Sequence, residues 1–366
     1  MNKIKPPVST ELQNKQLDLF QTFLFNTDDQ LSQLSNTLAF WDSIPRYSIT
    51  ARAMTKLRKA GEFPQLVSIP FNFRGKEFTA TIQPAWLHIT DTDGKDVITG
   101  YYPSANEELV EDALRKLAAQ QNNGYFDKPG FRSGVVFSLH ALRKELETRG
   151  HTRNYYQIIQ SLHILAGSTI KLHSSNNTDG EGFSISAYLT GLSAVSRSKL
   201  EDDPSAKWIA QFHPLVTHAI DSLTYRQYNY AQMMGHATQL ARWLHKQLSI
   251  KFTFASMTTS FEMRFSTIKR DSALLEGYQL QRKAISMTDD AWEELKSNGV
   301  ISSYTKNEII GLRKKLVDVV YTVVASREFI TEMKASNKRQ QNLEENNKDA
   351  VVSTSGSRNK KTASIS

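Results

Sequence analysis

Two stretches of this sequence gather side chains suited to planar, paired hydrogen bonding. In "TRNYYQIIQSLHILAG" they are Arg153, Asn154, Gln157 and Gln160, and in "QLQRKAISMTDD" they are Gln281, Arg282, Lys283 and Ser286. A guanidinium or carboxamide engages two neighbouring polar atoms at once, as the edge of a nucleobase requires, whereas an ammonium group acts as a point charge for phosphate. More cations lie close by: Arg143, Lys144 and Arg149 before the first stretch, and Lys306, Arg313, Lys314 and Lys315 after the second. Neutralising phosphates is the chemistry such residues would perform. The plainer reading is a pair of solvated helix faces. Against it stands the crowding of basic residues around one corner, from 143 to 153.

Bond-making chemistry finds less support. There is no glycine-rich loop ending in Gly-Lys-Ser or Gly-Lys-Thr, so no phosphate cradle for ATP is expected. A nicking enzyme would want a His-x-His metal pair near a nucleophilic tyrosine, and no such pair occurs; Tyr155 and Tyr156 are accounted for by a helix stripe and its outer face. His140, His163, His173, His213, His218 and His245 are too scattered for a metal site. "DTDGKD" (91–96) starts like a calcium loop, but its twelfth position is Tyr102 where a bidentate Glu is needed, so it reads as a hairpin turn. The expectation is a protein that acts by binding, with no catalytic residue, metal or cofactor.

The elements that must position these residues are legible in part. "NEELVEDALRKLAAQ" (106–120) spaces Leu109, Ala113, Leu114 and Leu117 as a helix with one buried face. "FSLHALRKELETRG" offers Ser138 as N-cap, Leu139, Leu142 and Leu146 as a buried stripe, and Gly150 as a stop. The next helix is expected to start on the N-cap Thr152, bury Tyr155, Ile158, Ile159, Leu162 and Leu165, and expose Arg153, Asn154, Gln157, Gln160 and Ser161. "STIKLHSS" and "FSISAYLTGL", separated by the turn-rich "NNTDGEG", alternate like the strands of a hairpin. Helix, helix, helix and hairpin make a winged helix, whose second paired helix enters the major groove.

The plan recurs downstream. "YAQMMGHATQLARWLHKQL" reads as one long helix, "TTSFEMRFSTIKRDS" supplies the middle helix, and the helix carrying Ala284, Met287, Ala291 and Leu295 stops near Gly299. Its second half exposes Asp289, Asp290, Glu293 and Glu294, which phosphates would repel, so only its N-terminal half is expected against DNA. "ISSYTKNEIIGLRKKLVDVVYTVVA" then reads as a wing. The expected fold is α+β, with two tandem winged-helix domains at 37–199 and 200–332, an N-terminal arm at 1–36, and a disordered basic tail at 333–366.

Composition agrees with that plan. The 366 residues hold 45 Lys and Arg against 37 Asp and Glu, and the surplus of +8 favours a polyanionic partner. Cysteine is absent, which fits a reducing compartment. No run of eighteen apolar residues and no apolar signal core is present, so a cytoplasmic protein away from the membrane is expected.

In order and in several motifs the chain resembles the plasmid replication initiators with two winged-helix domains, those of the broad-host-range IncP plasmids above all. "FWDSIPRYSITARAMTKLRK", "FSLHALRKELETRGHTRNYYQIIQSL", "QLARWLHKQL" and "QRKAISMTDDAWEELKSNGVI" carry the resemblance over roughly residues 16–325. It implies binding to direct repeats (iterons) at a plasmid origin, opening of that origin, recruitment of the host initiator protein (DnaA) and replicative helicase (DnaB), and copy-number control through a homodimer in equilibrium with monomer. Gln16-Leu17-Asp18-Leu19-Phe20 matches the short peptide by which bacterial replication proteins dock on the sliding clamp, and initiators of this family carry such a peptide. The competing reading of that stretch is an amphipathic helix, with Leu17, Phe20 and Leu24 on one stripe. The competing function is a winged-helix transcriptional repressor, whose sites are inverted where an initiator's are direct repeats.

Overall fold

The computed structural model describes residues 27–63, 66–90, 94–120, 123–176, 180–195 and 203–358. The peptide at 16–20 lies outside them. The chain builds two hydrophobic cores. One gathers apolar side chains from Leu34 to Met234 together with Ala273; the other runs from Leu240 to Met333.

The first unit opens with α1 (Asp28–Gln33), held by a capping box between Thr27 and Gln30, and β1 (Leu34–Leu38). These overlap the N-terminal arm expected at 1–36. β1 is instead fully buried, because β12 (Tyr225–Asn229) pairs with it antiparallel and satisfies its backbone. After a short 3-10 turn at Trp41–Ser43 come α2 (Ala51–Lys59), β2 (Val67–Phe73), β3 (Lys76–Gln83) and the hairpin β4 (Ala85–Thr90) and β5 (Asp96–Tyr101). That hairpin flanks the turn expected at 91–96.

Helix α3 (Ala105–Ala118) departs from its amphipathic expectation: its acidic and basic side chains are buried as well as its leucines. β6 (Gly124–Asp127) and β7 (Arg132–Ser138) follow, then α4 (Leu139–Thr148), capped by the Ser138 hydroxyl accepting from the Ala141 N–H at 3.1 Å. Gly150, at φ 83°, closes α4 in the left-handed conformation that a side chain would strain. α5 (Tyr155–Gly167) leads to the hairpin β8 (Thr169–Asn176) and β9 (Gly180–Ala187), which joins β3 and β2 in one sheet. The expected order of helix, helix and hairpin is therefore present.

The segment after β9 does not begin a second domain. β10 (Leu189–Val195) and β11 (Lys207–Phe212) pair with each other, and β11 pairs with β7. α6 (Pro214–Asp221), β12 and α7 (Tyr230–Met234) complete the first core, so the boundary falls near 235–239 and not at 199. The charged, Pro204-containing "SRSKLEDDPSAK" (196–207) reads in the sequence as the joint between two domains; residues 196–202 lie outside those described, and beyond them Trp208, Ala210 and Phe212 bury one face of β11.

The second unit starts where the expected long helix breaks. α7 ends at Gly235, and Thr238 caps a new helix, α8 (Gln239–Lys251). β13 (Ser260–Arg264), α9 (Phe265–Ser272), α10 (Gln281–Ser297), and the hairpin β14 (Ile301–Ile310) and β15 (Leu316–Ala325) follow. Here too helix, helix and hairpin recur in order, with β13 on the far edge of the hairpin.

The tail expected from residue 333 is, as far as Arg358, the continuation of α11 (Arg327–Arg358). Met333 is fully buried. Ser336 donates to the Gln227 carbonyl at 2.9 Å, Asn337 to that of Thr253 at 2.9 Å, and Gln340 to that of Leu223 at 2.9 Å. Composition gave no sign of this, because a few polar side chains that find carbonyls elsewhere in the chain add to the buried anchors Phe329, Ile330 and Met333.

Candidate nucleic-acid interface

The two units present corresponding ends. In each, the last helix before the hairpin turns its N-terminus outward, but the two termini are finished in opposite ways.

At α5 the N-cap is Asn154, two residues beyond the expected Thr152. Asn154 Oδ1 accepts from the Gln157 N–H at 2.8 Å, and Gln157 Oε1 accepts from the Asn154 N–H at 3.1 Å, a reciprocal capping box. Both residues remain exposed, and the capping box uses their amide oxygens, not their NH2 groups. Such a pair donates to phosphate or guanine; the two-sided contact with adenine needs the oxygen free. Arg153 is half-buried and bridges the Thr152 carbonyl at 2.8 Å and Asn106 Oδ1 at 2.7 Å. Ser161, expected on the outer face, is buried and donates to Glu107 at 2.7 Å.

The cations of the preceding helix divide. Lys144 is exposed. Arg143 lies over the Tyr155 ring at 5.0 Å, with its Nε buried. Arg149 turns inward, paired with Glu145 at 3.0 Å, donating to the Ser32 carbonyl at 2.6 Å and covering the Tyr230 ring. It fastens α1 to the first unit and leaves the phosphate-facing set. Gln160 is half-buried beside Arg153 and Gln157 in a small cavity. Tyr156, 60% exposed, stands on the outer face of the same helix.

At α10 the N-cap is Leu280, 73% exposed, and no side chain caps the helix. Gln281, Arg282 and Lys283 are exposed in its first turn; Ser286 is half-buried. The Lys283 N–H turns back to the Leu280 carbonyl at 2.9 Å, but no side chain caps the N–H groups of Gln281 and Arg282, and cations there oppose the helix dipole. Together they make a place where an anion relieves both costs. The acidic second half is tied down internally. Asp289 accepts from Lys306 at 2.7 Å and from the Tyr321 hydroxyl at 2.7 Å, while Glu294 accepts from the Thr238 hydroxyl at 2.7 Å at the head of α8. Lys306, itself exposed, thus also ties the hairpin to the helix.

The tip of the β14–β15 hairpin carries Arg313 and Lys314 at φ 59° and 57°. Two successive left-handed residues form the turn that suits a hairpin's twist, normally built of Asn and Gly. Holding two long basic residues there costs on the order of 1–3 kcal/mol each. Both are exposed, as is Lys315, and Leu312 between them and Gly311 is 94% exposed.

Behind these ends the units are locked by buried charge. Asp42 takes a two-pronged contact from Arg115 at 2.9 and 2.9 Å; Asp112 binds Arg115 at 2.6 Å and Lys246 of α8 at 2.6 Å; Glu108 binds Lys246 at 3.3 Å. Glu111 holds Arg46 at 2.9 Å. Burial alone would raise Glu111, but Arg46 and Arg115 with the Trp41 and Tyr47 donors outweigh it and hold its carboxyl at about 2. The same contest leaves Lys246 above its ordinary value: burial lowers it, and Asp112 and Glu108 more than compensate. Periodicity gave no hint of this network, because buried carboxylates are charges only a partner from elsewhere in the chain makes tolerable.

No protein-family model and no curated protein sequence matches the chain. Among solved structures it is similar to two of domains 2 and 3 of RctB. One has a TM-score of 0.44 at 12% identity over 72% of this chain and 91% of that one; the other, of residues 155–483, has 0.41 at 13% over 74% and 95%. It is also similar to the Pi initiator protein in complex with iteron DNA, at 0.41 and 12% identity over 61% and 94%. At these scores and identities the likeness supports no functional conclusion for this chain.

Proposed function

We propose that this protein is a sequence-specific duplex-DNA-binding replication initiator built from two winged-helix units in tandem. One observation carries the DNA reading: each unit ends its helix pair in an exposed, amide- and cation-bearing N-terminus followed by a hairpin, and at α10 that end is left uncapped beside Arg282 and Lys283. Two such ends in one chain suit successive major grooves about one helical turn apart, so one copy covers roughly 20 base pairs. Copies on neighbouring direct repeats would bend the duplex, at a cost on the order of 1–6 kcal/mol per site met by protein contacts, and strain an adjacent A+T-rich segment. The initiator role, with iteron binding, recruitment of host initiator and helicase, and clamp docking through Gln16 to Phe20, rests on the family resemblance of the sequence motifs.

Selection of duplexes from a randomised 30-base-pair library tests the binding. The expected result is a two-part site bound with steep salt dependence, whose preference in one part relaxes in Arg282→Ala at a cost of about 1–3 kcal/mol. Failure to enrich any duplex overturns it. Tandem copies of the selected site in direct orientation should bind better than inverted ones; the reverse result would point to a repressor. Clamp docking is tested separately: Leu19→Ala with Phe20→Ala should abolish binding to purified sliding clamp and leave the selected duplex bound as before.

A further inference from the structure

Helix α2 stands between the two candidate recognition ends. Met54 and Arg58 line a cavity of about 170 Å3 that also takes Arg153 and Gln157. Arg52 and Lys56, on another face, border an open cleft of about 1550 Å3 whose far wall holds Lys269, Gln279 and Gln281, the approach to α10. A single nine-residue helix thus touches the surroundings of both ends.

Core packing does not account for its composition. Met54 is its only buried residue. Arg52, Lys56 and Lys59 fall at i, i+4 and i+7, a single exposed stripe, and none of them forms an ion pair among the described residues. Lys56 and Lys59 lie where the helix's negative end welcomes a cation; Arg52 lies in the first turn, where it does not. Arg58 is occupied, donating to the Gly100 carbonyl and covering the Tyr101 ring at 4.5 Å. The carboxylates of the cleft do not answer the stripe: Glu62, exposed just past the end of α2, forms no ion pair with it among the described residues, Glu276 is set toward Lys269 at 3.9 Å, and Asp318 accepts from Ser266 at 3.0 and 2.6 Å at the head of α9. A row of unpaired cations between two helix ends that each suit a DNA groove complements a sugar-phosphate backbone running from one to the other.

We propose that α2 is a third DNA-contacting element, whose Arg52, Lys56 and Lys59 hold phosphates of the duplex segment between the two recognition helices. This rests on the DNA-binding reading above and adds sequence-independent affinity to it.

The test compares the full-length parent with the triple variant Arg52→Gln, Lys56→Gln, Lys59→Gln, on a 40-base-pair duplex selected by the parent and on one of random sequence. A control neutralises three exposed lysines elsewhere: Lys128→Gln, Lys207→Gln and Lys334→Gln. With each phosphate contact contributing about 0.9 to the slope of log affinity against log salt, the α2 variant should lose about 2–3 from that slope on both duplexes, and bind at least about tenfold more weakly near 0.1 M salt. Its preference for the selected duplex should persist, and its thermal transition should match the parent's. Ethylation of phosphates midway along the selected site should impair the parent and not the variant. A variant slope equal to that of a DNA-binding parent, or an equal loss in the control, overturns the role of α2 and leaves the DNA reading standing. A parent that binds neither duplex removes both.

Discussion

Asn154 and Gln157 each carry one carboxamide with two tasks. The oxygen closes the capping box of α5, and the box leaves the NH2 to other partners. Replacing either by its acid separates the tasks, since a carboxylate caps at least as well but neither donates nor tolerates a phosphate. Asn154→Asp and Gln157→Glu should therefore unfold within about 0.5 kcal/mol of the parent in urea, while binding to the selected duplex weakens by about 1–3 kcal/mol each. If both acids bound DNA as tightly as the parent, the N-terminus of α5 would not face the duplex. Residue types at these positions were readable from the sequence. Which oxygen was spoken for was not, because the capping bond depends on where the helix starts, and Thr152 was as plausible a start as Asn154.

Helix α10 shows the reverse economy at the scale of an element. Leu280 at its N-cap neither caps nor is buried, and the first turn places Arg282 and Lys283 against the dipole. Leu280→Asp supplies both a cap and a favourable charge, so it should stabilise the protein by about 0.5–2 kcal/mol in thermal or urea unfolding. The same change should weaken DNA binding at least tenfold by occupying the N–H groups and repelling phosphate. A variant gaining stability with DNA affinity intact would show that this terminus is merely unfinished. The start of α10 was obscured in the sequence by the stretch from Ala273 to Leu280, which belongs to neither helix: Ala273, at φ 52°, ends α9 in the left-handed conformation usually left to glycine.

For the whole molecule, the joint between the two units depends on α8. Lys246 and Arg242 bring two positive charges to a first-unit cluster in which Asp42, Glu108, Glu111 and Asp112 outnumber Arg46 and Arg115. All are nearly inaccessible to solvent, so Lys246→Met should cost about 3–5 kcal/mol in global unfolding by stranding Asp112 and Glu108. Adding Asp112→Asn should recover part of that loss, and a cost below about 1 kcal/mol for Lys246→Met would mean the joint does not depend on the pair. The pH dependence of the Glu111 contribution has a definite sign. Glu111 is held at about 2 against an ordinary value of 4.5, so its contribution is present above about 4.5 and is lost as pH falls toward 2.

Local sequence determined whatever depends on neighbours within a turn or two: the stripe and stop of α4, the β14–β15 hairpin, the stripe of α10, and the basic and amide residues at both helix starts. Those features arise from period, cap and turn chemistry, which act over a few residues. Tertiary structure decided the rest. It moved the boundary to 235–239 by pairing β11 with β7 and β12 with β1, buried the charged face of α3, and carried α11 through a polar segment onto the carbonyls of Thr253, Gln227 and Leu223. It also divided the cations. Arg149 and Lys306 gained partners within the chain, the first half-buried and the second at the surface, while Arg52, Lys56 and Lys59 formed no ion pair, because a charge is paired only where folding brings it an opposite charge or acceptor from elsewhere in the chain.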